Sequence, residues 1–459
     1  MLGRFRSVPQ SPETQKKLLK MMPSTRLPKR IDVISGLVEA TLIFALCASF
    51  ASTLFNDETR LKDYVALGMQ SHLLTATIVG FCQSRFSELE LSLAAPDIVP
   101  TLVMSNLLSQ AYANGNTPTI GNSLAIISLC TVLTGVGCVI VGRSGLSSRA
   151  TNTMPDVIFN GFVVVAGFLI FSKGIKMSMP KSIHHRGIFD EESGKQYLIF
   201  ALAGLPHGVA MFIQKRYNLT PADVVIPVIL FSPLVIFVVC SMFTWGSLNW
   251  VNAARLQGWM LDSGPASAFY EPTGAVYLGE VDWMFVLTSA PVVLLSSAAF
   301  LVGDIFFKTL GTIKLLDPKR SIDREMILQG GMNVLSGMLC GVPGYSQMKL
   351  AAINMGFVGK HATTRIPSMI CSTTLCILFF LAPPLTDYVP RFWLSGILYN
   401  VAIGFIVEGF WDPALSMRQR GIILVMVLIY FTKSILGTLN HSLSLRHAIV
   451  EVPVEISQG

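Results

Sequence analysis

The sequence has 459 residues, of which 52% are hydrophobic and 13% are charged, and its formal net charge is +7. Soluble domains carry roughly 25% charged residues, so this composition excludes an ordinary soluble protein and indicates a chain that lies in a bilayer. The excess of basic residues does not indicate nucleic-acid binding, which needs a basic patch on a soluble domain together with stacking aromatic side chains.

The chain begins with a basic segment, residues 1–31, which contains eight Lys or Arg residues and one acid, Glu13. Such a segment is typical of a cytoplasmic tail that contacts anionic lipid headgroups. No small-residue cleavage site follows an apolar run near the start, so we expect no cleavable signal peptide. The first helix is expected to act as its own insertion signal.

After this tail, apolar stretches recur along the chain, and most of them approach the roughly 20 residues that cross the hydrocarbon core of a bilayer. They predict thirteen spans, at 32–55, 61–82, 97–111, 119–142, 156–172, 196–214, 222–245, 282–307, 324–341, 346–358, 365–382, 391–411 and 419–436. We therefore expect an all-α, polytopic membrane protein with a transmembrane domain over 32–436 and a short polar C-terminal tail over 437–459.

With a cytoplasmic N-terminus, these spans place most of the basic loops inside, as the positive-inside rule requires. The predicted inner loop after the eighth span contains Lys308, Lys314 and Lys319. Loop 173–195 is an exception, since this topology places it outside although it carries five basic residues. The long outer loop 246–282 is rich in Gly, Pro and Trp, which suggests a folded cap.

Two of the predicted spans are too short to cross a bilayer, because residues 97–111 would form a helix of about 22 Å and residues 346–357 one of about 18 Å. Each follows backbone that disfavours a helix, at 94–96 and at 341–344. Half-helices are tolerated at membrane depth only in contact with protein or a polar cavity, and their N-termini attract anions. A matched pair of interrupted spans, here the third and the tenth, indicates the substrate site of a transporter.

The most specific pattern in the chain follows the eighth span. It consists of Asp323-Arg324-Glu325, Gly330, Asn333-Val334-Leu335-Ser336-Gly337 and Gly341-Val342-Pro343-Gly344, and it continues with Asn354 and Gly356. This order and spacing resembles the signature of the SulP family, the sulfate permease and anion-exchanger group. Asp32 and Gly36 match the opening of the family's first helix, so the resemblance extends from Asp32 to about Arg420.

The resemblance implies a core domain and a gate domain with a seven-plus-seven inverted topology, which move against each other like an elevator. The family is commonly dimeric, so a homodimer is implied, although its dimer contacts often involve a soluble domain that this chain is not expected to carry. In detail, Ala94-Ala95-Pro96 and Ser49-Phe50-Ala51 resemble a branch that includes bacterial proteins and fungal vacuolar proteins linked to basic amino acids.

Three features depart from the family pattern. Members usually carry a soluble STAS domain after the last helix, whereas this chain ends about 40 residues after Arg418, so no STAS domain is expected. A fourteenth helix is implied, but 437–459 has no apolar run long enough to span, and the last helix is expected to be degenerate or missing. Where typical anion exchangers place Ser-Arg, this chain has Lys349-Leu350, which moves the cation by one position, about 100° round a helix.

Two ionisable residues are predicted to face one crevice as a charge pair: Asp97 at the start of the third span and Lys349 in the first turn of the tenth. Such residues cost roughly 2.5–3.5 kcal/mol inside a membrane, which makes them functional candidates. In the simpler alternatives, Asp97 only complements the helix dipole and Lys349 extends to the membrane interface. The predicted substrate site comprises Leu46, Phe50, Ala95, Pro96, Asp97, Tyr345, Ser346, Gln347 and Lys349.

The charges of this site bear on the substrate class. Lys349 and two helix N-termini favour a carboxylate, sulfate or bicarbonate, whereas Asp97 opposes an anion. The pair therefore fits a zwitterion, or an anion that is carried with a proton on Asp97. Asp304 lies inside the eighth span near a position where many family members carry an acid, so Asp97 and Asp304 are the candidates to bind a coupling H+ or Na+. For Asp304, a structural hydrogen bond to a neighbouring helix is the equal alternative.

The leading prediction is a secondary transporter of small anions, with sulfate as the family default. An amino-acid carrier of an organelle such as the vacuole is the alternative, and a non-transporting homologue is the third. An enzyme is not expected, because HExxH, GxSxG and Walker A motifs are missing. The eight cysteines lack CxxC spacing, so neither a cofactor nor a metal is expected. The sequence does not distinguish the plasma membrane from an organellar membrane.

Overall fold

The computed structural model describes residues 29–55, 61, 64–113, 119–153, 156–180, 191–217, 222–246, 249–261, 279, 281–359, 364–386, 388–411, 415–429 and 431–432. Nearly all of the basic tail, much of the exceptional loop 173–195 and the C-terminal segment 437–459 lie outside these residues, so the predictions made for them stay predictions.

Helices account for nearly all of the regular structure, and each predicted span contains one. They are α1 (Arg30–Leu54), α2 (Val65–Phe86), α3 (Ile98–Ala113), α4 (Ile120–Arg143), α5 (Leu146–Thr153), α6 (Asp156–Ser178), α7 (Glu191–Ala203), α8 (Leu205–Tyr217), α9 (Ala222–Trp245), α10 (Trp250–Leu256), α11 (Trp283–Phe300), α12 (Phe306–Leu316), α13 (Ile322–Met338), α14 (Met348–Val358), α15 (Ile366–Thr386), α16 (Arg391–Phe410) and α17 (417–429). Five of the described helices are long and apolar enough to cross a membrane. The predicted all-α, polytopic fold is confirmed.

Two spans differ from their predicted form. The sixth is split into α7 and α8, which meet at Gly204. The eighth passes through a π-helical turn, Leu301–Ile305, and continues as α12 to Leu316. Lys308, predicted in an inner loop, therefore lies inside a helix and is buried. The hydropathy pattern ended this span too early, because it counts a lysine as polar whether or not the protein supplies buried partners for the ammonium group.

The helices pack in two groups. In the core group, α1 to α4 pack with α11 to α15; in the gate group, α6 to α9 pack with α16 and α17. The closest helix pair of the core group is α4 with α13, where Gly135 and Gly330 lie against each other's backbone. Small residues at such contacts allow membrane helices to approach closely. The pair fixes the position of α13, from which the chain continues to the site.

The two half-helices α3 and α14 each follow a short strand, and the strands form one antiparallel pair. Strand β1 (Ala94–Pro96) pairs with β2 (Gly344–Ser346) in the register Ala95 to Tyr345. The sequence predicted non-helical backbone at both places, and the pairing explains how its peptide groups are satisfied inside the membrane. The N-termini of α3 and α14 are consequently held side by side.

Asn333 of the family signature holds β2 in place. Its side-chain amide donates to the oxygen of Gly344, and the N–H of Gly344 donates to its side-chain oxygen, both at 2.8 Å. Since Asn333 and Gly344 are buried, the paired bonds satisfy the N–H and the oxygen of Gly344, which water cannot reach. The asparagine therefore links α13 directly to the strand that leads into α14.

Candidate functional site

A cavity of about 90 Å³ lies between the core group and the gate group. The core contributes α1, the start of α3 and the first turns of α14, and the gate contributes residues of α6 and α16. Seven of the nine predicted site residues line it: Leu46, Phe50, Ala95, Pro96, Asp97, Gln347 and Lys349. The cavity is largely apolar with a few polar groups, as small-molecule sites usually are.

Asp97 has two partners, one on its own half-helix and one across the core. Its Oδ1 accepts a hydrogen bond from the N–H of Ile98 at 2.6 Å, and its Oδ2 accepts one from Nζ of Lys308 at 2.5 Å. The predicted charge pair between Asp97 and Lys349 is therefore wrong: within the described part of the chain, the ion-pair partner of Asp97 is Lys308. The reason is that α12 extends far enough to present Lys308 to the start of α3.

Lys308 bridges two carboxylates. Its Nζ also lies 2.9 Å from Oδ1 of Asp304, one helical turn earlier. All three side chains are largely buried, with 11% exposure for Asp97, 1% for Asp304 and 10% for Lys308. Sequence reasoning included the two acids and missed the lysine, although the four-residue spacing of Asp304 and Lys308 inside an apolar run was a usable signal.

Lys349 reaches from the core group to the gate group. Its Nζ donates to the backbone oxygen of Val401 at 2.5 Å and lies 3.7 Å from the ring centroid of Phe405, a cation–π distance. Gly404 of α16 leaves the space that the ammonium group occupies, because a Cβ there would lie 3.1 Å from Nζ and 3.8 Å from Oε1 of Glu408. The ammonium group of Lys349 thus contacts α16.

A second, smaller cavity of about 20 Å³ lies on the other side of Lys349. Lys308, Lys349, Gln347 and Phe405 line it together with Met348, the first residue of α14. The first backbone N–H groups of an α-helix have no partner within the helix, and with the dipole they favour an anion. Two lysines and one helix N-terminus therefore border the same cavity.

The other two predicted site residues lie outside both cavities. The hydroxyl of Ser346 is 2.7 Å from that of Ser92, and its N–H donates to Oε1 of Gln329. The ring of Tyr345 lies 5.6 Å from Nζ of Lys308, and its hydroxyl has no hydrogen-bond partner among the described residues. The pairing of β2 with β1 fixes these orientations, which could not be read from the spacing of the residues.

Known proteins resemble this chain along most of its length. The vacuolar basic amino acid transporter VSB1 of Saccharomyces cerevisiae is 22% identical over 343 residues, which cover 72% of this chain and 32% of that protein. The bicarbonate transporter BicA of Synechocystis sp. is 20% identical over 377 residues, which cover 80% of this chain and 61% of BicA. The chain therefore spans about a third of the first relative and three fifths of the second.

Solved structures share the fold. The transmembrane domain of a cyanobacterial bicarbonate transporter BicA superposes with a TM-score of 0.55 at 17% identity, covering 87% of this chain and 95% of that one. The structure of SLC26A9 gives a TM-score of 0.54 at 15% identity and covers 87% of this chain and 61% of that one. A sequence model described as the sulfate permease family matches residues 30–429. The chain belongs to the sulfate permease family.

Proposed function

We propose that this protein is a secondary active transporter of small anions, and that the anion binds at the N-terminus of α14, beside Lys349. The observation that carries the proposal is the position of Lys349: the residue lies in the first turn of a half-helix and lines a cavity between two helix groups. A helix N-terminus and an ammonium group both stabilise negative charge.

The pairing of Asp97 argues for an anion over a zwitterion. A nearby carboxylate favours the ammonium group of a zwitterion such as an amino acid, and Asp97 was the candidate. In the structure, its charge is balanced by Lys308 at 2.5 Å, and its second oxygen is used by Ile98. An amino-acid ammonium group would have to displace Lys308 from a buried pair. The similarity to VSB1 favours an amino-acid carrier, but the pairing of Asp97 makes this alternative the weaker one.

Sulfate and bicarbonate are the first substrates to test, sulfate because of the family and bicarbonate because BicA is a bicarbonate transporter. The cavity of about 90 Å³ beside Lys349 has room for a small anion.

We propose further that transport proceeds by an elevator-like movement of the core group against the gate group. The cavity lies on the boundary of the two groups, while β1, β2 and both half-helices belong to the core. A sliding movement would carry the core part of the site along α16 without breaking the strand pair.

Positive charge in most of the predicted inner loops supports a cytoplasmic N-terminus.

Uptake into proteoliposomes of known protein orientation tests the proposal. Labelled sulfate, bicarbonate and arginine are offered separately, with and without a pH gradient. We expect saturable uptake of at least one anion and none of arginine. Arginine uptake without anion uptake would replace the proposal by the amino-acid carrier, and uptake of neither would leave a non-transporting homologue.

A further inference from the structure

The buried cluster of Asp97, Lys308 and Asp304 contains one cation between two anions. The two carboxylates come from different parts of the core, one from the start of α3 and one from the π-helical turn before α12. Nζ of Lys308 lies 2.5 Å from the first and 2.9 Å from the second. The three side chains are at most 11% exposed, so water contributes little to the balance of these charges.

Two carboxylates in such a place require a positive charge near them. Removing an ion from water costs several kcal/mol in real proteins, and a partner that is lost leaves an uncompensated buried charge. Many transporters could meet this need with a metal cation from solution, because carboxylate oxygens are the usual ligands of hard cations. Here the ammonium group of Lys308 forms an ion pair with each carboxylate, 2.5 Å from Oδ2 of Asp97 and 2.9 Å from Oδ1 of Asp304, and so supplies the positive charge.

We infer that Lys308 is a tethered counter-cation, which replaces a soluble metal cation at Asp97 and Asp304, so that substrate transport does not require Na+ or another metal cation at this place. The inference rests on the proposed function for its transport part. Because the lysine is covalently attached, its charge is present in every conformation and moves with the core group. Binding of an anion at α14 is then independent of any metal-ion gradient.

The inferred role of Lys308 as a counter-cation differs from a purely structural role. In a structural role, the ion pairs only hold α12 against the start of α3, and loss of the lysine would destabilise the protein equally in every salt. In the role inferred here, loss of the lysine opens a place between two carboxylates that a small metal cation can fill. Selectivity among monovalent cations therefore separates the two roles.

Thermal unfolding of the purified protein in detergent tests the inference without measuring transport. Wild type, Lys308→Ser and the matched control Lys314→Ser, an exposed lysine of the same helix, are compared in choline, K+, Li+ and Na+ chlorides at equal ionic strength. We expect the Tm of wild type and of Lys314→Ser to be the same in Na+ as in choline. We expect Lys308→Ser to have a lowered Tm in choline and to regain part of the loss, saturably, in Na+ or Li+.

Uptake of the substrate anion by wild type in Na+ and in choline media provides the second readout, and equal rates are expected. Wild type that needs Na+ for stability or uptake would overturn the inference, and so would a Lys308→Ser protein with the same Tm in every cation. If Lys308→Ser does not fold, the double variant Lys308→Met with Asp304→Asn takes its place, because it removes one positive and one negative charge. We expect this double variant to fold and to have the same Tm in every cation. A Tm that depends on Na+ in the double variant would also overturn the inference. Absence of any uptake would count against the proposed function alone, because the Tm comparison does not depend on it.

Discussion

Lys349 of the core group donates a hydrogen bond to the backbone oxygen of Val401 of the gate group, 2.5 Å away. The same ammonium group lies over the ring of Phe405. The cation that we propose for the substrate is therefore also a contact between the two groups that the proposed elevator movement would shift. An anion at the N-terminus of α14 would compete with Val401 and Phe405 for this ammonium group, so substrate binding would weaken the contact.

Replacement of Lys349 by methionine tests its role in binding. Hydrogen bonds to charged groups contribute about 1.5–3 kcal/mol, and every 1.4 kcal/mol is tenfold in affinity. We expect kcat/KM for the anion to fall by about tenfold to a hundredfold, with Lys349→Arg between this variant and wild type. Membrane insertion, followed by fluorescence-detected gel filtration, should stay normal. An unchanged rate would remove Lys349 from the site.

Gly404 is expected to affect the anion indirectly, through the position of Lys349. In Gly404→Ala, the added Cβ would lie 3.1 Å from Nζ of Lys349, so the ammonium group must shift. We expect KM to rise by about fivefold, as a change of about 1 kcal/mol produces, while Tm changes little. The matched control is Gly356→Ala on α14, where an added Cβ meets nothing within 4 Å. Equal kinetics of the two variants would contradict this account.

Asn333 should be needed for the geometry of the site although it touches neither cavity. Asn333→Ala leaves the N–H and oxygen of Gly344 without their partners, at a cost of roughly 1–3 kcal/mol for each buried group. We expect a clearly lowered Tm and loss of uptake. Thr373→Ala serves as the control, because that exposed hydroxyl bonds only within its own helix. A wild-type Tm for Asn333→Ala would refute the role of the paired bonds.

The contact of α4 and α13 predicts opposite effects at two neighbouring glycines. A Cβ on Gly330 would lie 2.6 Å from the backbone oxygen of Gly135, so Gly330→Ala must push the helices apart. Overpacking of this kind costs about 1–3 kcal/mol, and we expect a lowered Tm. Gly331→Ala meets nothing within 4 Å and should be neutral or stabilising, since alanine favours a helix over glycine by roughly 0.5–1 kcal/mol. A similar loss of stability in both variants would exclude this mechanism.

The sequence predicted the fold well because hydropathy, the short third and tenth spans and the signature from Asp323 to Gly344 are local properties. Placement of Asp97, Gln347 and Lys349 beside one cavity also followed from the two half-helices. The sequence did not predict that Lys308 is the partner of Asp97, since this pairing depends on how far α12 extends and on how α12 packs. Whether a lysine near the end of an apolar run faces water or a buried carboxylate depends on contacts that are distant in sequence.

The orientations of Tyr345 and Ser346 were missed for a related reason. Their position before a half-helix suggested that they face the substrate. Pairing of β2 with β1 turns the hydroxyl of Ser346 to Ser92 and the ring of Tyr345 towards Lys308. Three-residue strands at membrane depth carry too little pattern to be recognised from residue types alone.

The π-helical turn Leu301–Ile305 contains one residue more than an α-helical turn would, because its hydrogen bonds run from residue i to residue i+5. Deletion of one residue there would restore a continuous α-helix and leave Lys308 directed at Asp97. In a continuous α-helix of unchanged length, by contrast, every residue after this point would be displaced by about 100° round the axis. An alignment that places no gap at this turn therefore matches Lys308 to a residue that points elsewhere in a relative without the turn.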